Sequence, residues 1–317
     1  MLTLSLSPHI HTSLTVRRCM GHVIIALLPA VAFSLFYFGI GALIVIVSAI
    51  IGCVATEWLI DKYMLGRKPS IGNLSAVLTG LLLALNLPSN LPVWTVLVGS
   101  IVAIGIGKMA FGGLGCNTFN PALVGRVFLL LSFPVLMTTW PLPEVNRLTY
   151  LDATTGPTIL GALKMDPQGD MVANFDMMNK ALGMSGGSIG EIGAIAILLG
   201  LVYLLCVRII SWHIPVSIIA TVAVFAWACG APVGIELLSG GLLFGAVFMA
   251  TDYVTSPMSH RGMLLYGVLI GAITFIIRQW GAYPEGMSFA ILIMNGFTPL
   301  INRYIKPRKF GERSVKA

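Results

Sequence analysis

The sequence predicts an all-α polytopic membrane protein with about ten transmembrane helices. Hydrophobic residues make up 57% of the 317 residues, and charged residues only 10%. A soluble domain averages roughly 25% charged residues. The mean hydropathy is +0.92, and apolar segments near the roughly 20 residues needed for one crossing recur along the chain. The distribution of basic residues supports the same interpretation.

The candidate spans follow one another closely, except for one long polar interval after the fifth. They lie at 21–40, 41–60, 72–88, 91–109, 120–139, 189–207, 213–229, 233–250, 263–279 and 284–301. The first and second spans nearly touch. The third is short and is broken by Pro88.

Lysine and arginine are distributed unevenly about these spans. With a cytoplasmic N-terminus, fourteen fall in inner segments: Arg17, Arg18, Lys62, Arg67, Lys68, Lys108, Arg208, Arg261, Arg303, Lys306, Arg308, Lys309, Arg313 and Lys316. Only Arg147, Lys164, Lys180 and Arg278 fall outside. Because short basic loops stay in the cytoplasm, we expect an even number of spans with both termini inside.

This topology divides the chain into five parts. They are a cytoplasmic lead-in at 1–20, a first transmembrane half at 21–139, an external loop at 140–188, a second half at 189–301 and a basic tail at 302–317. Two halves of five spans enter the membrane from opposite sides, because five is odd. We therefore expect a five-plus-five inverted repeat with its binding sites where the halves meet.

The sequence also contains a weak internal repeat that matches the division into two halves. Met109-Ala110 opens a polar stretch that ends at Pro121, and Met249-Ala250 opens another that ends at Pro257. The third span ends in Asn-Leu-Pro and the seventh in Gly-Ala-Pro. We take these matches as markers of the two halves.

Several classes of site are not predicted. The five cysteines include no C-x-x-C pair, so no zinc or all-cysteine iron–sulfur site is built locally. A ligand shared with another subunit remains open for Cys116. No P-loop and no dinucleotide fingerprint occurs. We expect no metal, no catalytic residue and no nucleic-acid partner, and membrane lipid as the surroundings.

The stretch 111–126 is rich in glycine and polar side chains. Three glycines let backbone approach a ligand, and Asn120 adds a donor and an acceptor just before Pro121. The alternative is a re-entrant loop whose polar groups satisfy one another. Arg126 falls in the fifth span, where it either snorkels to the interface or pairs with an acid or a phosphate.

Acidic residues lie close to other spans. Asp252 ends the eighth span and is either a helix cap or a site residue. Glu191 starts the sixth span, where a negative charge suits the helix dipole. Glu57 is the deepest acid and is a candidate for a proton or cation path.

The longest polar interval contains Asp152-Ala153-Thr154-Thr155-Gly156-Pro157-Thr158. Gly and Pro among hydroxyl side chains are typical of an exposed turn. The stretch is either an ordinary external turn or a place where Thr158, just beyond the bend, is modified.

Residues throughout the chain carry a family resemblance. They include Ser7-Pro8-His9-Ile10, Phe111-Gly-Gly-Leu-Gly, Asn120-Pro-Ala, Gly186-Gly-Ser-Ile-Gly-Glu191, Trp212-His-Ile-Pro-Val216 and Met249-Ala-Thr-Asp252. With these motifs the chain resembles the D subunits of the Rnf complexes, the ion-pumping ferredoxin:NAD oxidoreductases. It is more distantly similar to the B subunits of the sodium-pumping NADH:quinone reductases.

The resemblance implies a covalent FMN. The family motif resembles Asp-(Gly/Ala)-x-(Ser/Thr)-Gly-Ala-Thr, which aligns Asp152, Thr155 and Gly156 with its fixed positions and Thr158 with the threonine that forms a phosphoester to FMN. Pro157 replaces the usual alanine and stiffens the turn. Thr155 is the alternative acceptor.

The resemblance also implies further cofactor contacts. Asn120, Arg126 and Asp252 are the candidates outside the motif. For the quinone-reductase relative a second, non-covalent flavin, riboflavin, is implied, with 111–121 and 251–257 as the segments to hold it.

The implied activity belongs to an assembly in the bacterial cytoplasmic membrane. The chain would relay electrons within an ion-translocating oxidoreductase and couple their transfer to Na⁺ or H⁺ movement, without activity alone. Implied partners are the FMN-bearing G subunit, the membrane iron–sulfur A and E subunits, and an outer-face flavin transferase. The alternatives are an inverted-repeat channel or permease for a small solute, and a purely structural assembly subunit.

Overall fold

The computed structural model of the chain describes residues 15–67, 69–143, 148, 150–166 and 186–306. Within these residues the regular secondary structure is helical, apart from one pair of two-residue strands. This composition confirms the predicted all-α class. The lead-in before residue 15, the outer basic residues Arg147 and Lys180, and the tail from residue 307 lie outside the described residues.

The first helix, α1 (Val16–Leu59), contains the first two predicted spans. Its 44 residues correspond to roughly 66 Å at 1.5 Å per residue, about twice the hydrocarbon thickness of a bilayer. Gly39 interrupts it with φ 57° and ψ −127°, a backbone conformation that residues other than glycine rarely adopt. The chain continues from α1 into a π-helix at Ile60–Met64.

The rest of the first half consists of short or interrupted helices. They are α2 (Ser75–Leu85), α3 (Val93–Ile101) with a π-helix at Val102–Ile106 and a 3-10 turn at Met109–Phe111, α4 (Pro121–Ser132) and α5 (Pro134–Thr138). With 11 residues, α2 extends for roughly 16 Å, about half of the bilayer core. The third span is short, as predicted.

The described residues of the external segment, 140–143, 148, 150–166 and 186–188, include a small hairpin and one short helix. Strand β1 (Trp140–Pro141) pairs antiparallel with β2 (Thr155–Gly156), with Trp140 opposite Gly156. Helix α6 (Ile159–Met165) follows the hairpin directly. The described part of this segment is therefore an ordered platform.

The second half contains six helices. They are α7 (Ala194–Cys206), α8 (His213–Ala228), α9 (Val233–Leu238), α10 (Leu242–Phe244) running into a π-helix at Gly245–Met249, α11 (His260–Trp280) and α12 (Met287–Tyr304). Gly240 and Gly241, with φ 71° and 62°, separate α9 from α10. The eighth span, predicted as one segment at 233–250, is thus broken.

Among the described residues, three helical segments are long and apolar enough to cross a membrane by themselves. They are Val16–Met64, Val93–Phe111 and His260–Trp280. Helices α2, α4, α7 and α8 are apolar but shorter, at 10–17 residues. These shorter helices depend on packing against the long ones.

Close helix packing recurs in the two halves. Gly52 of α1 faces Ser100 of α3, where an added Cβ would come within 2.9 Å of the serine side chain. In the second half Gly271 of α11 faces Thr221 of α8, with 2.8 Å for the same construction. Small residues allow such close approach. The second span thus packs on the fourth and the seventh on the ninth, the correspondence of a five-plus-five arrangement.

The local sequence match proposed as a marker of the repeat is wrong. Met109 ends the fourth span and Met249 ends the eighth, and these spans are four apart rather than five. A π-helical segment lies at each position: Met109 comes three residues after Val102–Ile106, and Met249 is the last residue of Gly245–Met249. The match reflects this shared local geometry.

Polar side chains join the two halves at α4. Asn120 Nδ2 donates to the Met249 carbonyl oxygen at 3.2 Å. One and a half turns further along α4, Arg126 donates to Asn86 Oδ1 at 3.3 Å and to Ser288 Oγ at the start of α12. The junction between the halves is therefore polar, and α4 extends from it toward the external platform.

Candidate functional site

Thr158 is a buried hydroxyl at the start of α6. It is the N-cap of that helix, and its Oγ1 accepts a hydrogen bond from Gly161 N at 3.1 Å. Only 6% of the residue is exposed. Thr155 lies on β2 and is exposed, as is Asp152 in the turn before it. Of the two candidate acceptors, Thr158 alone is enclosed by other parts of the chain.

The hairpin explains the position of Thr158. Leu142 N donates to the Thr154 carbonyl oxygen at 3.0 Å, which extends the β1–β2 pairing by one bond. A Cβ on Gly156 would come within 3.1 Å of the Leu142 side chain, closer than an ordinary contact. Gly156 therefore suits the close approach of the two strands, and Thr158 follows two residues later.

Helix α6 is held against the second half of the chain. Lys164 Nζ donates to the carbonyl oxygens of Gly281 and Tyr283, in the loop between α11 and α12. The side chain of Leu160 packs beside Gly240, in the break of the eighth span. These contacts bring the external platform and residues 80 to 119 positions away into one site.

Thr158 lines a cleft of about 310 Å³, within the range of roughly 300–1,000 Å³ typical of ligand pockets. Its walls come from α4, α5, the hairpin, α6 and the loop before α12. They are formed by Arg126, Leu130, Met137, Thr138, Trp140, Pro157, Thr158, Gly161, Met165, Tyr283, Pro284 and Glu285. The lining is mainly apolar, with one arginine and one glutamate.

Arg126 pairs with an acid and does not snorkel. Its Nη2 forms an ion pair with Glu285 Oε2, while its Nη1 donates to Ser288 and Asn86. The Arg126 side chain is 7% exposed and the Glu285 side chain 12%. The pairing explains how α4 accommodates a charge at this depth.

Each member of this pair keeps one polar atom unused. Among the described residues, Arg126 Nε and Glu285 Oε1 are buried without a hydrogen-bond partner. A buried polar atom without a partner costs roughly 1–3 kcal/mol. Both residues line the cleft of Thr158, so a shift of their side chains would expose this donor and this acceptor to a ligand with groups of both kinds.

Asn120 and Asp252 lie elsewhere, in a second cavity. This cavity is lined by residues of both candidate segments, Asn117, Asn120, Thr251, Asp252 and Tyr253 among them. Asn120 caps α4 by accepting from Ala122 N at 3.1 Å. At about 80 Å³ the cavity is smaller than typical ligand pockets, so a flavin would require its side chains to move.

Asp252 is not the helix cap that its position suggested. It accepts a hydrogen bond from Thr255 Oγ1 at 3.2 Å, and Ser259 caps α11 instead. The cap, Ser259, comes seven positions after Asp252. Asp252 is therefore too far from the start of α11 to cap it and lies within the connecting loop.

The other acids near spans are paired. Glu57 accepts from Lys108 Nζ at 2.5 Å and from Ser70 Oγ at 2.5 Å. Glu236 forms an ion pair with Arg278 at 2.8 Å. Glu191 belongs to a capping box with Ser188. Cys116 is exposed, and the described part of the chain contains no cluster of three or more His, Cys, Asp or Glu able to hold a metal.

Comparison with known proteins decides the family. A family model described as the NQR2, RnfD, RnfE family matches residues 3–311. The chain belongs to this family. The resemblance to the D subunits of the Rnf complexes is confirmed.

Three relatives, each the D subunit of such a complex, match nearly the whole of this family member. That of the Na(+)-translocating ferredoxin:NAD(+) oxidoreductase complex of Acetobacterium woodii is 45% identical over 318 residues, covering 99% of this chain and 97% of the relative. The proton-translocating counterpart of Clostridium ljungdahlii is 43% identical over 326 residues, with 99% and 97% covered. That of the ion-translocating oxidoreductase complex of Stutzerimonas stutzeri is 41% identical over 332 residues, with 95% and 93% covered.

Most residues of the cleft in this family member were not predicted. Trp140, Tyr283 and Glu285 are among them: they line it together with Thr158, but none stands in a motif. Glu285 had one available signal: it is an acid at the start of the predicted tenth span, the position at which Glu191 begins the sixth. Nothing in the sequence indicated that it faces Arg126.

Proposed function

We propose that this chain is the FMN-carrying membrane subunit of an Rnf-type ion-translocating electron transport complex, with FMN bound to Thr158 through a phosphoester. It relays electrons between partner redox subunits and couples this transfer to Na⁺ or H⁺ movement. Family membership supports the assembly, and the relatives' names include both a Na(+)-translocating and a proton-translocating complex. Overall similarity therefore does not decide the ion.

The observation that carries the flavin proposal is the cleft itself. Thr158 is the motif threonine, and it lines the same cavity as Arg126 and Glu285, whose Nε and Oε1 atoms are buried without partners. A flavin phosphate offers acceptors for the guanidinium, and ribityl hydroxyls or the ring N–H offer donors for the carboxylate. Trp140 and Tyr283 add aromatic surface. The residues present therefore fit FMN.

In this role the protein supplies placement and charge. A flavin exchanges one or two electrons, so it connects one-electron iron–sulfur carriers with two-electron chemistry. Thr158 holds the cofactor permanently, which removes the entropy cost of positioning it. Arg126 and Glu285 orient its polar groups, and the apolar lining limits access of water.

The proposal includes the partners and the topology inferred from the sequence. The partners are the FMN-bearing G subunit, the iron–sulfur A and E subunits, and a flavin transferase for maturation. Both termini face the cytoplasm, and the platform of β1, β2 and α6 faces the outside of a bacterial cytoplasmic membrane. The excess of basic residues in the inner segments supports this orientation.

In-gel fluorescence of the denatured chain, co-expressed with a flavin transferase, tests the proposal. We expect the native chain to fluoresce and Thr158→Val to be dark, because valine keeps the shape and removes the acceptor oxygen. Thr155→Val, which removes the exposed neighbouring hydroxyl, should fluoresce like the native chain. A dark native band, with a transferase that modifies a known target, would refute covalent attachment and favour the permease alternative.

A further inference from the structure

Glu285 is the one acid that lines the Thr158 cleft among the described residues. It lies in the loop between α11 and α12, and its side chain is 12% exposed. One carboxylate oxygen, Oε2, pairs with Arg126, while Oε1 has no partner in the described part of the chain. A buried carboxylate with one satisfied oxygen is poised to gain a proton on the other.

The charges around Glu285 come from four elements. Arg126 faces it from α4, Arg278 acts on it from α11, and Glu191 acts from the turn before α7. Lys164 of α6 is bound to two carbonyl oxygens of the Glu285 loop. Burial raises the pKa of the Glu285 carboxyl; Arg126 and Arg278 oppose that rise, and Glu191 adds to it.

A new negative charge in the cleft would act on Glu285 by weakening its ion pair with Arg126. Its Nη1 and Nη2 are engaged, and only Nε remains free. Negative charge that arrives beside the guanidinium competes with the carboxylate for the same cation. In a site of low dielectric constant this competition favours the neutral acid.

Resting on the proposed function, we propose that Glu285 is the proton acceptor linked to reduction of the flavin held by Thr158. This role belongs to a residue outside the attachment motif, and it assigns a use to the unpartnered Oε1. Arg126 is the positioning residue that keeps the acid beside the flavin phosphate and ring.

The step balances in charge and protons. With the reduced flavin of the partner G subunit as the electron donor, the flavin held by Thr158 would take up two electrons together with one proton from solvent. A second proton from solvent binds to Glu285 Oε1, which forms one O–H bond and turns the carboxylate into a neutral acid. Two electrons and two protons leave the net charge of the cleft unchanged, while Arg126 retains its charge and faces the reduced flavin.

A potentiometric titration of the purified full-length flavinylated chain tests this assignment. The midpoint potential of its flavin is measured against pH for the native chain, for Glu285→Gln and for Glu236→Gln. Glu236 is the matched control, because it is a buried acid paired with Arg278 and does not line the Thr158 cleft. We expect Glu285→Gln to halve the pH dependence of the midpoint potential, since one proton instead of two accompanies two electrons. Glu236→Gln should keep the native dependence.

Flavinylated Glu285→Gln with the native pH dependence would overturn the assignment. If that variant does not fold or does not take up flavin, infrared difference spectra of the native chain decide. Reduction should produce a protonated-carboxyl C=O band that shifts in D₂O, and its absence overturns the proposal. A native chain without covalent flavin is a different failure, because it contradicts the proposed function itself.

Discussion

Replacement of Lys108 by methionine should destabilise the fold strongly. The Lys108 side chain is 3% exposed, and its Nζ donates to Glu57 Oε2 at 2.5 Å and to Ser75 Oγ at 2.6 Å. Methionine keeps most of the apolar stem and removes the charge. Glu57, with a fully buried side chain, would then keep only the hydrogen bond from Ser70. Loss of one partner from a buried ion pair costs roughly 3–5 kcal/mol.

The second charge of the pair allows this reasoning to be tested directly. Glu57→Gln combined with Lys108→Met removes both buried charges, so the double variant should be more stable than Lys108→Met alone. Coupling energies within one such network are roughly 0.5–3 kcal/mol. The double variant should therefore recover a measurable part of the loss.

Thermal unfolding in one detergent, followed for all variants, provides the measurement. Lys62→Met is the matched control: Lys62 is exposed and its Nζ lies 4.7 Å from the centre of the Trp58 ring. An exposed cation–π contact contributes roughly 0.5–1 kcal/mol. The reasoning is refuted if Lys62→Met lowers the midpoint as much as Lys108→Met. It is also refuted if the double variant is no more stable than Lys108→Met.

Two further predictions concern helix packing and capping, and the same unfolding measurement checks both. Gly80→Ala should lower the free energy of unfolding by roughly 1–3 kcal/mol, because the new Cβ would meet the Ala49 carbonyl oxygen at 2.8 Å. Gly21→Ala, with nothing within 4 Å of the new Cβ, should raise it by roughly 0.5–1 kcal/mol. Equal unfolding midpoints for the two variants would contradict this. Asn120→Ala should cost roughly 1–2 kcal/mol, because α4 loses its cap and the halves lose the bond to Met249. An Asn120→Ala variant that unfolds at the same temperature as the native chain would refute this role of Asn120.

Much of the fold could be predicted because a membrane constrains sequence strongly. Each span needs a long apolar run, so hydropathy placed the spans approximately, although it did not indicate the break in the eighth. The break at Gly39, between two spans that nearly touch, shows how a single glycine separates two crossings. The sequence match at Met109 and Met249 could not identify the repeat. Both methionines lie at the end of a span with a π-helical segment, and that local feature accounts for the match.

The candidate site was predictable only in part. The motif ending at Thr158 lies within one short segment, so its pattern can be read along the chain. Asn120 and Arg126 are six residues apart in sequence, yet they face different cavities, since successive turns of α4 line different clefts. Helical periodicity gives the spacing of such residues but does not indicate which neighbour each turn meets.

The sequence by itself determined the class of protein, the approximate positions of its spans and the motif that ends at Thr158. Only the tertiary structure decided that Arg126, Trp140 and Glu285 surround Thr158. The physical reason is that lipid tails solvate any apolar helix face equally well. Hydropathy therefore does not specify which helices contact each other. Contacts between residues 126 and 285 depend instead on close packing and on the pairing of buried charges, which are properties of the assembled helices.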